Sequence, residues 1–493
     1  MGDQAISERQ ARLWLAAILV LAVVLRIWTF RSFALHHPDE LYQYLEQAHR
    51  LITGQGIIPW EYKVEMRSWL PPLLLSLPMR LGEAIAPGSQ LPIVLTRACV
   101  SAVSLAPVMA AYFLGARLSR LHGLVAAAVL ALWFENIYFS GHVLMEVLAV
   151  ACFLPAAAMI KPGASARAMM AAGGLLALAA LLRFHYAPAI AAYTLIMLRT
   201  DWRSWRRLIG GGLIVLVLSG AVDATMGQVP FGWIWANIDH NIIKGASERF
   251  GVSGPFAYFQ VMFIRWGPAV GLLGLLPFFV ARRYPGLLIA ALVNLAVHMA
   301  IGHKESRVIW LTVEISILLS AIASTDLIQR VVRRRTDNAR ALRLAAGLLV
   351  LGWAGLSAAL AVSDRMWPNW NRFGARMQSM NDAGRLPQLC GIAVHRIDFW
   401  SASHFYLRRD VPIYLPYRRD PVQAAQALSR ATPAYDLIVA PANAAGEVPP
   451  GYRSLSCRFD GSEKICLYRR PGGCDPAAGK TELLQRVIAE YGY

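Results

Sequence analysis

Between residues 36 and 69 the chain reads HHPDELYQYLEQAHRLITGQGIIPWEYKVEMRSW. Asp39, Glu40, Glu46, Glu61 and Glu65 stand there among His36, His37, Lys63 and Arg67. An Asp-Glu pair after His37-Pro38 can offer one carboxylate as a general base while its neighbour caps or pairs. The competing reading is a plain helix start, because Pro suits the first helical position and acids favour that end. Glu61 and Arg67 serve either a substrate or an ion pair that shapes the loop. Tyr42, Tyr44, Trp60, Tyr62 and Trp69 interleave with the charges. That mixture predicts a segment in the membrane interface, one face in lipid and one in a cleft.

A second polar set, His303-Lys304-Glu305-Ser306-Arg307, lies between two apolar runs. Cations there can hold a lipid-linked phosphate through charge-assisted hydrogen bonds. An ordinary charged loop with Lys304 and Arg307 snorkelling is the alternative. Arg183, followed by Phe184 and His185, interrupts a long apolar stretch. A charge at that depth is costly and is usually retained for function. Glu135, Glu146 and Asp223 sit near the ends of apolar runs and either line the same cleft or have ordinary buried partners.

The elements that must position these groups are membrane helices. Of 493 residues 56% are hydrophobic and 16% charged, the composition of a polytopic membrane protein. The net charge of +18 sits mostly in short Lys/Arg clusters between apolar runs, which marks topology rather than nucleic-acid binding. Apolar runs fall at 12–30, 92–116, 122–140, 143–160, 168–182, 187–198, 208–226, 261–281, 285–301, 308–328 and 341–362. The first has no small-residue cleavage site after it, so it reads as an uncleaved span. Basic clusters follow alternate runs, and all share the cytoplasmic side only if the short runs 168–182 and 187–198 cross separately. This predicts eleven spans, an internal N-terminus and an external C-terminus. The loop 31–91, the Arg183 tip, the segment 223–260 and the 303–307 island then meet at one outer face.

The division expected is a membrane domain over 1–362 and an external α/β domain over 363–493. Cys390-Gly-Ile-Ala-Val394 and Tyr435-Asp-Leu-Ile-Val-Ala440 read as short buried strands. Cys390, Cys457, Cys466 and Cys474 in an oxidising compartment predict two bridges, or else free buried thiols. Cys457 and Cys466 flank the Asp460-Gly461 turn signal and are placed to face each other across a hairpin. No metal-ligand spacing, phosphate loop or dinucleotide fingerprint is present, and neither metal nor cofactor is expected.

Taken together, His37-Pro-Asp-Glu40, Gln43, Glu46, Trp60-Glu61-Tyr62 and Arg67-Ser68 resemble the first luminal loop of glycosyltransferase family 22. His303-Lys304-Glu305 and Arg307 resemble its HKE(x)R motif. Arg183 matches the arginine of an Arg-Pro-Thr-Ala-like segment, with Phe184 and His185 in place of Pro and Thr. Asp223, Gly227, Asn241, Gly245 and Gly251 resemble a later luminal stretch, and the likeness covers roughly 12–330. The resemblance implies an all-α polytopic GT-C fold of about eleven transmembrane helices. It implies an inverting transfer of mannose from a polyprenyl-phosphate donor to a glycan or glycolipid acceptor, with the lipid bilayer as the remaining partner. Asp39 is then the expected base and Glu40 its support. His37, Glu61, Arg67, Arg183, His303, Lys304, Glu305 and Arg307 are the expected donor-phosphate and substrate contacts. The expected location is the cell inner membrane, with the site on the periplasmic side. The alternatives are transfer of another lipid-linked sugar, or transport of a lipid-linked oligosaccharide. Transporters tend to place polar residues at the midplane, whereas here they gather at one face.

Overall fold

The computed structural model describes residues 6–490, apart from the side chain of Trp400. Two compact units emerge. One comprises Met1–Phe30 and Cys99–Trp367; the other comprises Arg31–Ala98 and Pro368–Tyr493.

The first unit is helical. Each apolar run becomes a helix or a broken helix, and the local sequence explains the ends. Ser7 and Gln10 form a capping box on Glu8–Thr29, while Ser165 caps Ala166–Leu182 and Asp201 caps Trp202–Thr225. Such caps satisfy amide N–H groups that have no partner in the first turn. Trp133 is extended and splits one run into Arg120–Leu132 and Phe134–Phe139. Among the described residues five helices are long and apolar enough to cross a membrane: Glu8–Thr29, Leu91–Gly115, Trp202–Thr225, Ser306–Arg333 and Ala339–Ala361, with six shorter apolar helices beside them. The stretch Ser306–Arg333 is almost wholly enclosed, whereas Glu8–Thr29 and Ala339–Ala361 expose most of their apolar surface. Exposed Trp14, Val24, Ile27 and Trp28 on the first helix fit contact with lipid, not water.

Polar contacts fix which helix ends meet. At one end Arg120 donates to the carbonyl of Ile6 at 3.2 Å, and Tyr284 Oη to Leu114 at 2.7 Å. Arg117 donates to Ala157 and Ile160 at 2.7 and 3.0 Å. Arg283 and Arg330 share Asp326. At the other end Glu146, Arg183 and Arg307 converge. Tyr193 Oη donates to Ala157 at 3.1 Å, so Ala187–Leu198 ends at the basic end, opposite in sense to Ala166–Leu182. Close approach explains two glycines. A Cβ at Gly173 would lie 1.9 Å from the Leu208 carbonyl, and one at Gly211 equally close to that of Met170. Only glycine lets Ala166–Leu182 and Trp202–Thr225 touch backbone to backbone.

The second unit joins the 31–98 segment to the tail. Its mixed sheet has five strands, β1 (Ile392–Val394), β2 (Ile413–Tyr414), β3 (Leu437–Pro441), β4 (Arg453–Phe459) and β5 (Lys464–Arg469), in the order β2-β1-β3-β5-β4. β1 runs parallel to β2 and β3, and the β4–β5 hairpin is antiparallel. Cys457 and Cys466 are paired in its register and joined by a disulfide; Cys390 and Cys474 form the second. Asp460 Oδ1 accepts the amides of Ser462 and Glu463 and holds the turn.

The 36–69 segment differs from the interfacial expectation. Tyr42, Tyr44 and Tyr62 are buried, because Tyr42 donates to the carbonyls of Phe399 and Ala402 and Tyr62 packs edge-on against Trp69. The lipid-type surface lies just after it, on the helix Leu70–Ile85, where Leu74, Leu77, Leu81 and Ile85 form an exposed stripe at helical spacing.

Candidate active site

The chemistry-bearing residues fall into one cluster in each unit. In the second unit the chain turns helical at Pro38 and runs through a π-helical turn, Glu40–Leu45. A π turn places successive side chains off the α spacing and is common at functional sites. The two acids at its start have different fates. Glu40 is fully buried. Its Oε1 accepts the amides of His36 at 2.5 Å and His37 at 3.3 Å, and its Oε2 lies 3.9 Å from Arg97. Arg97 in turn donates to Tyr406 Oη at 2.8 Å. Asp39 stays partly exposed, with Oδ1 3.3 Å from His37 Nδ1.

Asp39 also sits within electrostatic reach of a buried pair. Glu61 Oε1 accepts from Gln43 at 2.9 Å and lies 3.9 Å from Arg67. Burial pushes the Glu61 carboxyl up, Arg67 pulls it down, and the charge of Asp39 pushes it up again. Burial penalises the Arg67 cation, but Tyr44, Glu61, Asp39 and Tyr62 outweigh that cost and raise its pKa. Asp39 thus stands, partly exposed, next to a buried ion pair.

A further carboxylate anchors this segment to the tail. Glu46 is wholly buried and accepts from Ser403 Oγ, and from the amides of Ile57, His404 and Phe405, at 2.9–3.1 Å. Ser403, Tyr406 and Arg97 were not among the expected site residues. Arg97, a charge inside an apolar run, carried a signal; Ser403 and Tyr406 carried none.

In the first unit Arg183 ends the helix Ala166–Leu182, and Glu146 opens Met145–Met159. Arg307 lies in the turn that leads into Trp310–Arg333. Glu146, fully buried, takes Arg183 and Arg307 at 3.3 Å each. Arg307 Nε donates to Glu305 at 2.5 Å, and Glu305 accepts from His303 Nε2 at 3.0 Å. His303 Nδ1 lies 3.0 Å from the Gly251 carbonyl. The Glu305 hydrogen bond outweighs burial and raises the His303 pKa, which favours the imidazolium. Lys304 differs from its neighbours: its Nζ donates to the carbonyls of Met299 and Ile301 at the end of Pro285–Ala300. Its ammonium therefore holds a helix end as well as supplying charge. Asp223 is buried and accepts from the Phe231 amide and Trp233 Nε1, bracing its own loop.

Glu135 has the ordinary buried partners that were one of its two expected roles: it accepts from Trp133, Trp266 and Arg265 at 2.9–3.0 Å. Arg26 is buried against Ser104.

A family description, the Alg9-like mannosyltransferase family, matches residues 17–388. The chain belongs to that family. Its members are glycosyltransferases, and the chain is accordingly a multi-pass membrane protein of that enzyme class. A 60-residue stretch is 42% identical to GPI mannosyltransferase 3 of Yarrowia lipolytica, spanning 12% of this chain and 11% of that protein. The fold is similar to that of ArnT from Cupriavidus metallidurans. The form bound to undecaprenyl phosphate aligns with TM-score 0.54 at 13% identity, over 94% of this chain and 99% of that one. The apo form aligns with TM-score 0.55 at 15% identity, over 95% and 99%. The apo oligosaccharyltransferase of Archaeoglobus fulgidus aligns with TM-score 0.50 at 14% identity, over 89% and 70%. At these identities the likeness is one of fold: the GT-C architecture, mostly helical, with a small C-terminal α/β domain.

Proposed function

We propose that the chain transfers mannose from a polyprenyl-phosphate donor to a hydroxyl of a glycan or glycolipid acceptor. In this reading the Asp39 carboxylate takes the proton of the acceptor hydroxyl. The acceptor oxygen bonds to the anomeric carbon as the bond from that carbon to the phosphate oxygen breaks, and the configuration inverts. Polyprenyl phosphate leaves with the electron pair. Arg183, Arg307 and the His303 imidazolium stabilise the charge that develops on it, with Lys304 adding charge and Glu146 and Glu305 orienting them. Glu40 supports the turn that carries Asp39. His37, Glu61 and Arg67 contact the substrate beside it.

The observation that carries the reading is the contrast between adjacent acids. Glu40 is spent on amides and Arg97, whereas Asp39 is partly exposed beside the buried Glu61–Arg67 pair. Family membership supports the sugar, and the undecaprenyl phosphate bound by ArnT, which shares the fold, supports a lipid-phosphate donor. The assignment of 1–362 as the transferase domain and 363–493 as an external domain is proposed on chain order, as is placement in the inner membrane with chemistry on the periplasmic side.

The test is transfer by the purified full-length protein from a panel of radiolabelled polyprenyl-phosphate sugars to a membrane glycolipid extract. Product from the mannosyl donor alone, with inverted anomeric configuration, supports the proposal. Product only from another sugar donor replaces the sugar while keeping the reaction class.

A further inference from the structure

The first unit contains a cavity of about 960 Å³ that plays no part in the site above. Its walls include Met109, Phe113, Pro155, Met159 and Ala168, and Arg117 and Lys161 line it as well. It therefore joins an apolar interior to two cations. Arg117 is pinned by its bonds to the carbonyls of Ala157, Ala158 and Ile160, which end the helix Met145–Met159. Lys161 is exposed on the turn that follows, and Arg167 is exposed in the first turn of the next helix, Ala166–Leu182, beside the lining residue Ala168. No Asp or Glu occurs between residues 84 and 134 or between 147 and 200, the stretches that form the walls. Among the described residues none of these three cations forms an ion pair with a carboxylate.

The cleft lies at the end of the bundle where Arg120, Arg283 and Arg330 also gather. Clusters of this kind mark the cytoplasmic leaflet. An aqueous anion would have no use for the apolar wall, and a neutral lipid none for the cations. An acyl chain in the cleft with an acidic head group at its rim uses both, and basic pockets between membrane helices bind such head groups. We propose that this cleft binds one anionic phospholipid of the cytoplasmic leaflet, with its phosphate against Lys161, Arg167 and Arg117 and an acyl chain along Pro155 and Phe113. The proposal concerns the end of the bundle away from Arg183 and Arg307 and does not rest on the transfer reaction.

The test is native mass spectrometry of the full-length protein, delipidated and re-equilibrated with equimolar phosphatidylglycerol and phosphatidylcholine. Preferential retention of phosphatidylglycerol is expected. Lys161→Gln and Arg167→Gln should each lower that preference about fivefold, the effect of one basic residue near an anionic surface. Ala164→Trp should lower retention of the lipid by filling the cleft without touching a charge. Arg117 is left intact, since its loss would also free a helix end. Equal retention of the two lipids would overturn the proposal, and so would wild-type preference in both charge variants. Displacement of phosphatidylglycerol by undecaprenyl phosphate would assign the cleft to the donor lipid instead. Competition by glycerol phosphate, which has no acyl chain, would reduce it to an ion site.

Discussion

The two clusters treat charge in opposite ways. Between residues 36 and 69 five acids stand against three Lys and Arg residues, and two of the acids are saturated: Glu40 by two amides and Arg97, Glu46 by three amides and a hydroxyl. In the Arg183–Arg307 cluster two guanidiniums meet the carboxylate of Glu146 and Arg307 also pairs with Glu305, so positive charge is in excess once the His303 imidazolium and Lys304 are counted. A saturated buried acid makes a rigid support and a poor base. A cluster in which cations exceed carboxylates makes a good seat for a departing phosphate. The contrast shows why neighbouring acids can serve different ends: Glu40 is fully buried against its partners, whereas Asp39 is partly exposed.

The largest effect expected is at Asp39. Asp39→Asn keeps size and hydrogen bonding but loses the basic lone pair, so turnover should fall about 10²–10⁴-fold with little change in unfolding temperature. Glu40→Gln, by contrast, should lower the unfolding temperature, because it weakens a buried, charge-assisted set of bonds. A dead Glu40→Gln enzyme of normal stability, beside an active Asp39→Asn enzyme, would reverse the two roles. Next come the cations. Arg307→Ala should lower turnover about 10²–10³-fold, the usual effect of removing one donor to a developing anion. Arg307→Lys should recover only part of that loss, since the ammonium cannot serve Glu146 and Glu305 through a planar fork. Wild-type rates in Arg307→Ala would remove the phosphate role from this cluster.

Two histidines, one in each unit, sharpen the contrast through pH. His303 has its pKa raised by Glu305, so its contribution to stability is full below the ordinary imidazole value and lost as pH rises through the raised one. His49 is the reverse case: burial lowers its pKa to about 4. The unfolded chain then takes up the proton first, and stability should fall by on the order of 3 kcal/mol as pH drops from about 6.5 to below 4. Thermal unfolding followed across pH should show His49→Leu flattening the acid side and His303→Gln the alkaline side. An unchanged acid slope in His49→Leu would discount burial as its cause. The smallest effect belongs to Lys304. Lys304→Ala should cost about 1 kcal/mol through the freed carbonyls of Met299 and Ile301, with a loss of donor affinity well below that of Arg307→Ala in a titration of the donor.

Much of this was legible in the residue order. The apolar runs marked the helices, and basic clusters correctly gave the opposed sense of Ala166–Leu182 and Ala187–Leu198. The Asp460-Gly461 turn gave the Cys457–Cys466 pairing. The union of the 31–98 segment with the tail was not legible. Glu46 is held mostly by main-chain N–H groups, and every non-proline residue carries one, so no residue type announces the partner. For the same reason Glu40 and Asp39 look equivalent as letters. Tyr42 and Tyr62 misled as interfacial aromatics because a tyrosine with a buried apolar body and one hydrogen-bonded end suits a core as well as a headgroup layer.

The bond between Glu46 and Ser403 spans 357 residues of chain, and that separation is also an interval of time. At about 5–20 residues per second, the ribosome needs roughly 20–70 s after making the acid to supply the serine that completes its environment. Throughout that interval the segment bearing Asp39 has left the ribosome without the donors that fix its shape. A nascent chain therefore cannot hold the arrangement described here, and chemistry must wait for the last quarter of the polypeptide.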